Sequence, residues 1–454
     1  MSTLTSKSTS SVDMTKGNEL RVILGFAIPL FLSNLLLQCY SLTDISIIGH
    51  RLGDDALTSI GSVTTIVDLY NSLMWGMSSG FSVVIAKIFG SGDQERLRKA
   101  TFNTAILSVI WALGISVLGV VTLKPVMRLL NTPESVFETG YAYAVIMISL
   151  IGFMFAYNVL SSLLRAIGNS RAPLYFLLFS VILNIALDVL FVYVFDWKLK
   201  GAAVATVLSQ AVSSAVCLIY IRLKIPELHF GRSDMKIDGR LMSDLFSAGL
   251  SFALMFSVVN VGTIVLQGAI NGLGEDIIAA HTTARKISSL CMMFLGTLAN
   301  SMATFAGQNH GAGRYDRVRT GLRKTLFVSM GVATFEIVMI YLFGGMLVKL
   351  ISDSDNPVIL GTAVYYLRFD LPFYYVLAVI LITRSTLQGL GSKIAPIIAS
   401  VMELLLKVFT AGILVRLFAY TGVAMCEPLI WSVCAVYILI VFFMDKRIKQ
   451  GKSS

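Results

Sequence analysis

Charged side chains are scarce in this sequence. Asp, Glu, Lys and Arg make up 14% of its 454 residues, whereas soluble globular domains carry about 25%. Hydrophobic residues make up 56% of the chain, and the mean hydropathy is +0.79. These proportions exclude a soluble globular protein, and they indicate an integral membrane protein surrounded by a lipid bilayer.

Cysteine and histidine occur without the spacings that bind metals. The five cysteines are scattered through apolar segments and include no CxxC pair, so neither a disulfide framework nor a zinc site is indicated. The four histidines form no pair with metal-ligand spacing. We therefore expect no cofactor and no resident metal ion.

Catalytic and nucleotide-binding motifs are also lacking. GLGSK at 389–393 does not have the spacing of a phosphate-binding loop. GMSSG at 76–80 has the letters of a nucleophile elbow, but that motif needs a preceding strand and this one lies in an apolar helix. Small residues four apart are more typical of close helix packing. We expect that the protein is not an enzyme, and that an ion gradient supplies any energy it uses.

Apolar windows long enough to cross about 30 Å of hydrocarbon recur along the chain. The sequence predicts twelve spans. It predicts an all-α membrane protein built of five successive parts. These are an N-terminal cytoplasmic tail at 1–20, an N-lobe at 21–223, a cytoplasmic linker at 224–243, a C-lobe at 244–445 and a C-terminal cytoplasmic tail at 446–454. The first tail lacks the apolar core and cleavage site of a secretory signal.

Basic residues follow the predicted topology. If the N-terminus is inside, the inner segments hold 25 of the 36 Lys and Arg residues, the outer segments eight and the spans three. The positive-inside rule then places both termini in the cytoplasm. The net charge of +10 is explained in this way, and no basic patch with interleaved aromatic residues predicts nucleic-acid binding. We expect a bacterial cytoplasmic (inner) membrane protein that acts as a monomer.

The two halves repeat each other. LGDD at 52–55 returns as LGED at 273–276, and KIFGSGDQERLRKA at 87–100 returns as QNHGAGRYDRVRTG, both after 221 residues. LRAIGNSRAP at 164–173 returns as LQGLGSKIAP after 223 residues. Two six-helix bundles related by pseudo-symmetry follow from this order, with a binding site between them. The basic residues after the glycine loops are interpreted as solvated helix starts, namely Arg96, Arg98, Lys99, Arg317 and Arg319.

Polar residues that the halves do not share are the candidates for function. Asp44 lies in span one, on a polar stripe with Gln38, and its counterpart in the second half is Val265. Span five carries Asn184 and Asp188, four residues apart and hence on one helix face. Apart from their ends, spans one to six contain no Lys or Arg to pair with these acids. They therefore predict a site for a proton, or for Na⁺ ligated with the help of a hydroxyl such as that of Thr206.

The second half carries a different set of charges. Glu403 and Lys407 have the order and spacing of an ion pair within one helix, and Arg285 lies in span eight. Helix packing and substrate binding both remain open for them. In the first span, Pro29 removes a backbone donor and predicts a bend. The candidate substrate contacts are Gln38, Asn158, Asn260, Arg285, Glu403 and Lys407.

Taken together, these motifs resemble the multidrug and toxic compound extrusion (MATE) family along the whole chain. The resemblance implies two six-helix lobes and efflux of drug-like small molecules, often cationic, coupled to inward H⁺ or Na⁺ flow by alternating access. Members of this family contribute to antibiotic resistance. By motif match, the implied N-lobe cation site comprises Asp44, Asn184, Asp188 and Thr206, with Tyr40 nearby and Pro29 as the bend.

The second lobe departs from the NorM-like branch of that family. The acidic pair of that branch aligns with Val259–Asn260 and Ala378–Val379 in this chain, so both acids are missing here. The chain is thus more similar to the DinF-like branch, whose coupling is attributed to the N-lobe. The alternative function is a lipid-linked oligosaccharide flippase of the same superfamily. Such flippases tend to have more spans and an Arg-rich cavity, whereas the N-lobe here is acidic.

Overall fold

The computed structural model describes residues 12–130 and 132–450. Part of each predicted tail, 1–11 and 451–454, lies outside the described residues. Within them the chain is helical and contains no strand. The helices are α1 Glu19–Leu52, α2 Asp54–Ser91, α3 Gln94–Leu129, α4 Glu134–Ser149, α5 Ile151–Ala166, α6 Arg171–Asp188, α7 Lys198–Lys224, α8 Gly239–Asn271, α9 Glu275–Gly311, α10 Tyr315–Ser352, α11 Pro357–Asp370, α12 Tyr374–Gly389, α13 Ile394–Met444 and α14 Lys446–Gln450.

These helices confirm an all-α membrane protein with twelve spans. Among the described residues, ten helical segments are long and apolar enough to cross a membrane. Helices α4 and α5, bent by 44° at Leu150, together form another span. The 51-residue α13 contains Ala419 in a non-helical conformation, at φ 47° and ψ −128°, and this break divides it into the last two spans.

Proline and a π-helical turn interrupt two of the spans. Helices α11 and α12 are joined by a 3₁₀ turn, Leu371–Phe373, because the proline in it cannot donate a backbone hydrogen bond. After Asp188, α6 continues as a π-helical segment, Val189–Val194. Such segments are rare in proteins, and those that occur often lie at functional sites.

The chain forms two compact units. Among the described residues, the first comprises residues 12–13 and Ile28–Ala253, and the second comprises Met14–Ala27 and Leu254 onward. Each unit has its own apolar core: Met74, Phe81 and Phe155 are buried in the first, and Tyr366, Tyr374 and Trp431 in the second.

Two helices are divided between the units. The start of α1, up to Ala27, belongs to the second unit, and the rest belongs to the first. Helix α8 is divided in the opposite sense after Ala253. Pro29 therefore lies just beyond the point where α1 passes from one unit to the other.

The glycines of GMSSG pack against another helix within the first unit. A Cβ atom at Gly80 would lie 2.4 Å from the Cα of Gly249, and one at Gly76 would lie 2.4 Å from the Cα of Ala253. Both distances are shorter than atoms can approach, so only glycine allows α2 and α8 to lie this close. The packing interpretation of this motif is confirmed.

Candidate cation-coupling site

The acids of the first unit lie at the end of α6. Asn184 and Asp188 occupy one face of this helix, and their side chains are 1% and 0% exposed. Neither Asp188 oxygen, and neither polar atom of the Asn184 amide, has a hydrogen-bond partner among the described residues. The large majority of buried side-chain polar atoms are hydrogen-bonded, so these two side chains point to a ligand that the protein itself does not supply.

Asp44 on α1 faces Asp188. The two carboxyl groups are close enough to interact directly, and one Asp44 oxygen is buried without a hydrogen-bond partner among the described residues. Two ionised carboxylates this close repel each other, which favours a proton or a cation at the pair. The structure thus brings Asp44 of span one together with Asn184 and Asp188 of span five, which lie 140 or more positions later in the chain.

A tyrosine links the same two regions of the fold. The Tyr40 hydroxyl, one turn before Asp44, donates a hydrogen bond of 3.2 Å to the Thr206 hydroxyl on α7. Thr206 is 5% exposed. All five residues of the implied N-lobe site therefore lie in one neighbourhood of α1, α6 and α7.

Sequence reasoning missed one member of this neighbourhood. Tyr143 on α4 is buried and interacts electrostatically with both Asp44 and Asp188. It stands in the apolar run YAYAVIM, and the chain has 16 tyrosines, so nothing local distinguishes it. The packing of α4 against other helices of the first unit, among them α2 and α7, brings it to the acids.

The donor set suits a small hard cation or a proton. Within the described part of the chain, no Lys or Arg forms an ion pair with Asp44 or Asp188. The available groups are carboxylate, amide and hydroxyl oxygens, which hard cations prefer. Among the described residues there is no cluster of three His, Cys, Asp or Glu side chains that could hold a metal ion.

Pro29 lies inside α1, which remains helical on both sides of it. The Ser33 hydroxyl donates a hydrogen bond of 2.9 Å to the Pro29 carbonyl. The proline leaves the carbonyl four residues earlier without its helical donor. One backbone hydrogen bond of α1 is therefore missing at this point, and the role of Pro29 as a hinge stays a prediction.

The second unit contains a chain of buried ion pairs. Lys407 is 2% exposed and lies 3.6 Å from Glu403, which confirms the predicted pair within one helix. Lys407 also lies 3.1 Å from Glu427, and Glu427 lies 3.9 Å from Arg285. Arg384 extends the chain at 3.7 Å from Glu403. These contacts join α9, α12 and both parts of α13.

Three acids of the second unit escaped sequence analysis. Glu427 is 4% exposed and holds the ion-pair chain together. Asp370 and Glu336 are 0% and 5% exposed, and their carboxylate oxygens have no hydrogen-bond partner in the described part of the chain. Asp370 lies two turns before Ala378–Val379 in the same span, so this span carries a buried acid away from the places that align with the NorM-like pair.

The remaining candidate substrate contacts lie on different helices. Gln38 is exposed on α1, Asn158 is half-buried on α5, and Asn260 is exposed on α8. Their contact with substrate stays a prediction, as does that of Arg285, Glu403 and Lys407.

Comparison with known proteins agrees with this architecture. The MatE family model matches residues 29–190 and again residues 252–413. The chain is 27% identical to the probable multidrug resistance protein YoeA of Bacillus subtilis, over 84% of this chain and 83% of that protein. It is 28% identical to the probable multidrug resistance protein YpnP of the same organism, over 86% and 87%.

A solved structure has the same fold. It is described as an outward-facing conformation of a multidrug resistance MATE family transporter of the MOP superfamily, and it superposes with a TM-score of 0.90. The match covers 99% of this chain and 100% of that one, at 22% sequence identity.

Proposed function

Because this chain belongs to the MatE family, we propose that it is a secondary active multidrug efflux antiporter. It exports organic, often cationic compounds in exchange for H⁺ or Na⁺ by alternating access. Relatives named as multidrug resistance proteins support the export of drug-like small molecules. No nucleic acid or catalytic step belongs to this proposal.

The observation that carries the proposal is the uncompensated acid pair, Asp44 and Asp188. A carboxylate near the middle of a span costs about 2.5–3.5 kcal/mol on insertion scales. Without a basic partner, the pair is neutralised by a proton or by a small cation, which is what an ion-coupled transporter requires at its coupling site. Asn184 and Thr206 add neutral oxygens that would serve either ion.

Binding or release of the coupling ion changes the net charge at the contact between α1 and α6. When the ion leaves, two carboxylates repel each other across the contact between these helices. Asp44 and Pro29 are on the same helix, fifteen residues apart, so a bend at Pro29 would relieve that repulsion. A ligand shifts a conformational equilibrium only by its difference in affinity for the two states, and an ion held by both acids has that difference.

The basic side chains of the second unit favour efflux over the flippase alternative. Arg285, Arg384 and Lys407 are each paired with Glu427 or Glu403. Arg384 and Lys407 are buried beside these carboxylates and are therefore poorly placed to bind a lipid-linked pyrophosphate.

Transport in proteoliposomes tests the proposal. The purified protein is reconstituted with a fluorescent cationic dye, and a pH gradient and a Na⁺ gradient are imposed separately. We expect that one gradient drives dye movement and that Asp188→Asn abolishes this response. Dye movement that is independent of both gradients, or equal in the parent and in Asp188→Asn, would contradict ion coupling at this pair.

We also propose the setting in which the protein works. Its twelve spans lie in a bacterial cytoplasmic membrane with both termini in the cytoplasm, and one chain is the transporting unit. The distribution of basic residues supports this orientation. Light scattering in detergent tests the oligomeric state, since a monomer has a polypeptide mass of 49.4 kDa.

A further inference from the structure

The segment Met14–Glu19, which leads into α1, is held by one arginine. The Arg317 guanidinium on α10 donates hydrogen bonds to the backbone carbonyls of Gly17 at 2.9 Å, and of Met14 and Lys16 at 3.3 Å. Its side chain is only 12% exposed. The interpretation of Arg317 as a solvated helix start is therefore wrong, because its donors are used on the lead segment.

Other side chains, at the end of α9 and in the first part of α10, also hold this lead segment. We call these contacts, together with those of Arg317, the grip. Glu19, the first residue of α1, lies 3.0 Å from Arg317 and 2.8 Å from Lys324. The Met14 amide donates to Gln308 at 2.9 Å, and the Asn309 amide donates to the Met14 carbonyl at 3.2 Å. Arg314 donates to the Thr15 carbonyl at 2.7 Å. All of these contacts lie within the second unit.

The first half has an equivalent grip on the segment that leads into α8. Asn103 on α3 donates to the Lys236 carbonyl at 3.1 Å and accepts from the Asp238 amide at 3.1 Å. Arg98 lies 3.4 Å from Asp234. The repeat offset of 221 residues relates these positions: Asn103 corresponds to Lys324, and Asp234 and Met235 correspond to Asp13 and Met14. Each repeat thus holds the segment before a helix whose later part belongs to the other unit.

From this geometry we infer that Arg317 is a positioning residue for transport, which fixes the start of α1 to the second unit. Asp44 lies in the part of α1 that belongs to the first unit, and Pro29 lies just beyond the boundary. With its start fixed, α1 responds to a charge change at Asp44 by bending at Pro29, and it does not slide as a whole. This inference rests on the proposed function.

The test compares Arg317→Gln and the milder Glu19→Gln with a matched control, Arg319→Gln, which lies on the same helix. The rate of backbone hydrogen exchange in residues 14–27 reports whether the grip holds this segment. Dye binding at equilibrium and dye transport at a saturating concentration report its use. Arg317→Lys keeps the charge and tests for rescue.

We expect faster exchange in residues 14–27 for Arg317→Gln and Glu19→Gln, and parental exchange for Arg319→Gln. The saturating transport rate should fall about tenfold in Arg317→Gln, the effect of losing a charge-assisted hydrogen bond, while the dye affinity stays within about twofold. Arg317→Lys should recover part of the rate.

Unchanged exchange in Arg317→Gln and Glu19→Gln would overturn the grip. Faster exchange with a parental transport rate would overturn its role in transport, and so would an equal loss of dye affinity and rate. If the parent protein itself moves no dye under either gradient, the proposed function fails, and the positioning role fails with it even if the exchange result shows that the grip exists.

Discussion

At the scale of single residues, the two repeats differ in charge at equivalent positions. Asn184 corresponds to Lys407, Asp188 to Ala411 and Asp44 to Val265. In the second unit, Lys407 is neutralised by Glu427 and Glu403. In the first unit, Asp44 and Asp188 have no basic partner among the described residues, and under the proposed function an ion neutralises them.

The first prediction concerns these acids. Asp44→Asn and Asp188→Asn should each abolish drug resistance and gradient-driven efflux, because a neutral amide cannot exchange the coupling ion. The protein should still reach the membrane, since removal of an unpaired buried charge costs no ion pair. Growth on a cationic drug and membrane abundance by immunoblot check this result.

Asp55→Asn is the matched control, because Asp55 is exposed near the start of α2. It should leave resistance unchanged. Resistance equal to the parent in both Asp44→Asn and Asp188→Asn would show that coupling does not depend on the pair.

At the scale of helices, close packing within the first unit depends on two glycines. Gly80→Ala should lower thermal stability, because its new methyl group would overlap the backbone of Gly249 and force α2 from α8. Overpacking of this kind costs about 1–3 kcal/mol. The melting temperature in detergent measures the loss.

Gly114→Ala on α3 provides the comparison, because no atom lies within 4 Å of a Cβ at that position. Alanine favours a helix over glycine by about 1 kcal/mol, so this variant should melt no lower than the parent. Equal melting of the two variants would mean that α2 and α8 are less tightly packed than the distances indicate.

Ion pairs stabilise the helices of the second unit. Glu427→Gln leaves the buried charges of Lys407 and Arg285 without their shared acid. Breaking one member of a buried ion network costs about 3–5 kcal/mol, because the remaining charge is uncompensated. We expect a lower melting temperature and reduced yield, measured by fluorescence-detected size exclusion.

Two further variants separate this cause from a general loss of packing. Glu138→Gln removes an exposed acid from α4 and should melt like the parent. Lys407→Met combined with Glu427→Gln removes a buried cation that would otherwise keep Glu403 as its partner, and it should melt above Glu427→Gln alone. A double variant that melts below the single one would show that Lys407 is stabilised by other groups.

At the scale of the whole molecule, an even number of spans places both ends of the chain on one side of the membrane. We predict that green fluorescent protein fused after Ser454 is fluorescent, because it folds only in the cytoplasm, and that alkaline phosphatase at the same position is inactive. The reverse pattern would contradict the orientation derived from the basic residues.

The sequence by itself determined the spans and the repeat and singled out the acids of the candidate site, because hydropathy, fixed offsets and charges in apolar segments are local signals. Tyr40 and Thr206 joined that candidate site through the family resemblance. Asp44, Asn184 and Asp188 were identifiable since a carboxylate in a span is costly wherever it points. Only the tertiary structure decided which groups neutralise which. Tyr143 joins the acids, Glu427 joins Lys407 to Arg285, and Arg317 grips the segment before α1. Each of these contacts joins helices that are separate in the chain, so it depends on packing, which no pattern along the sequence records.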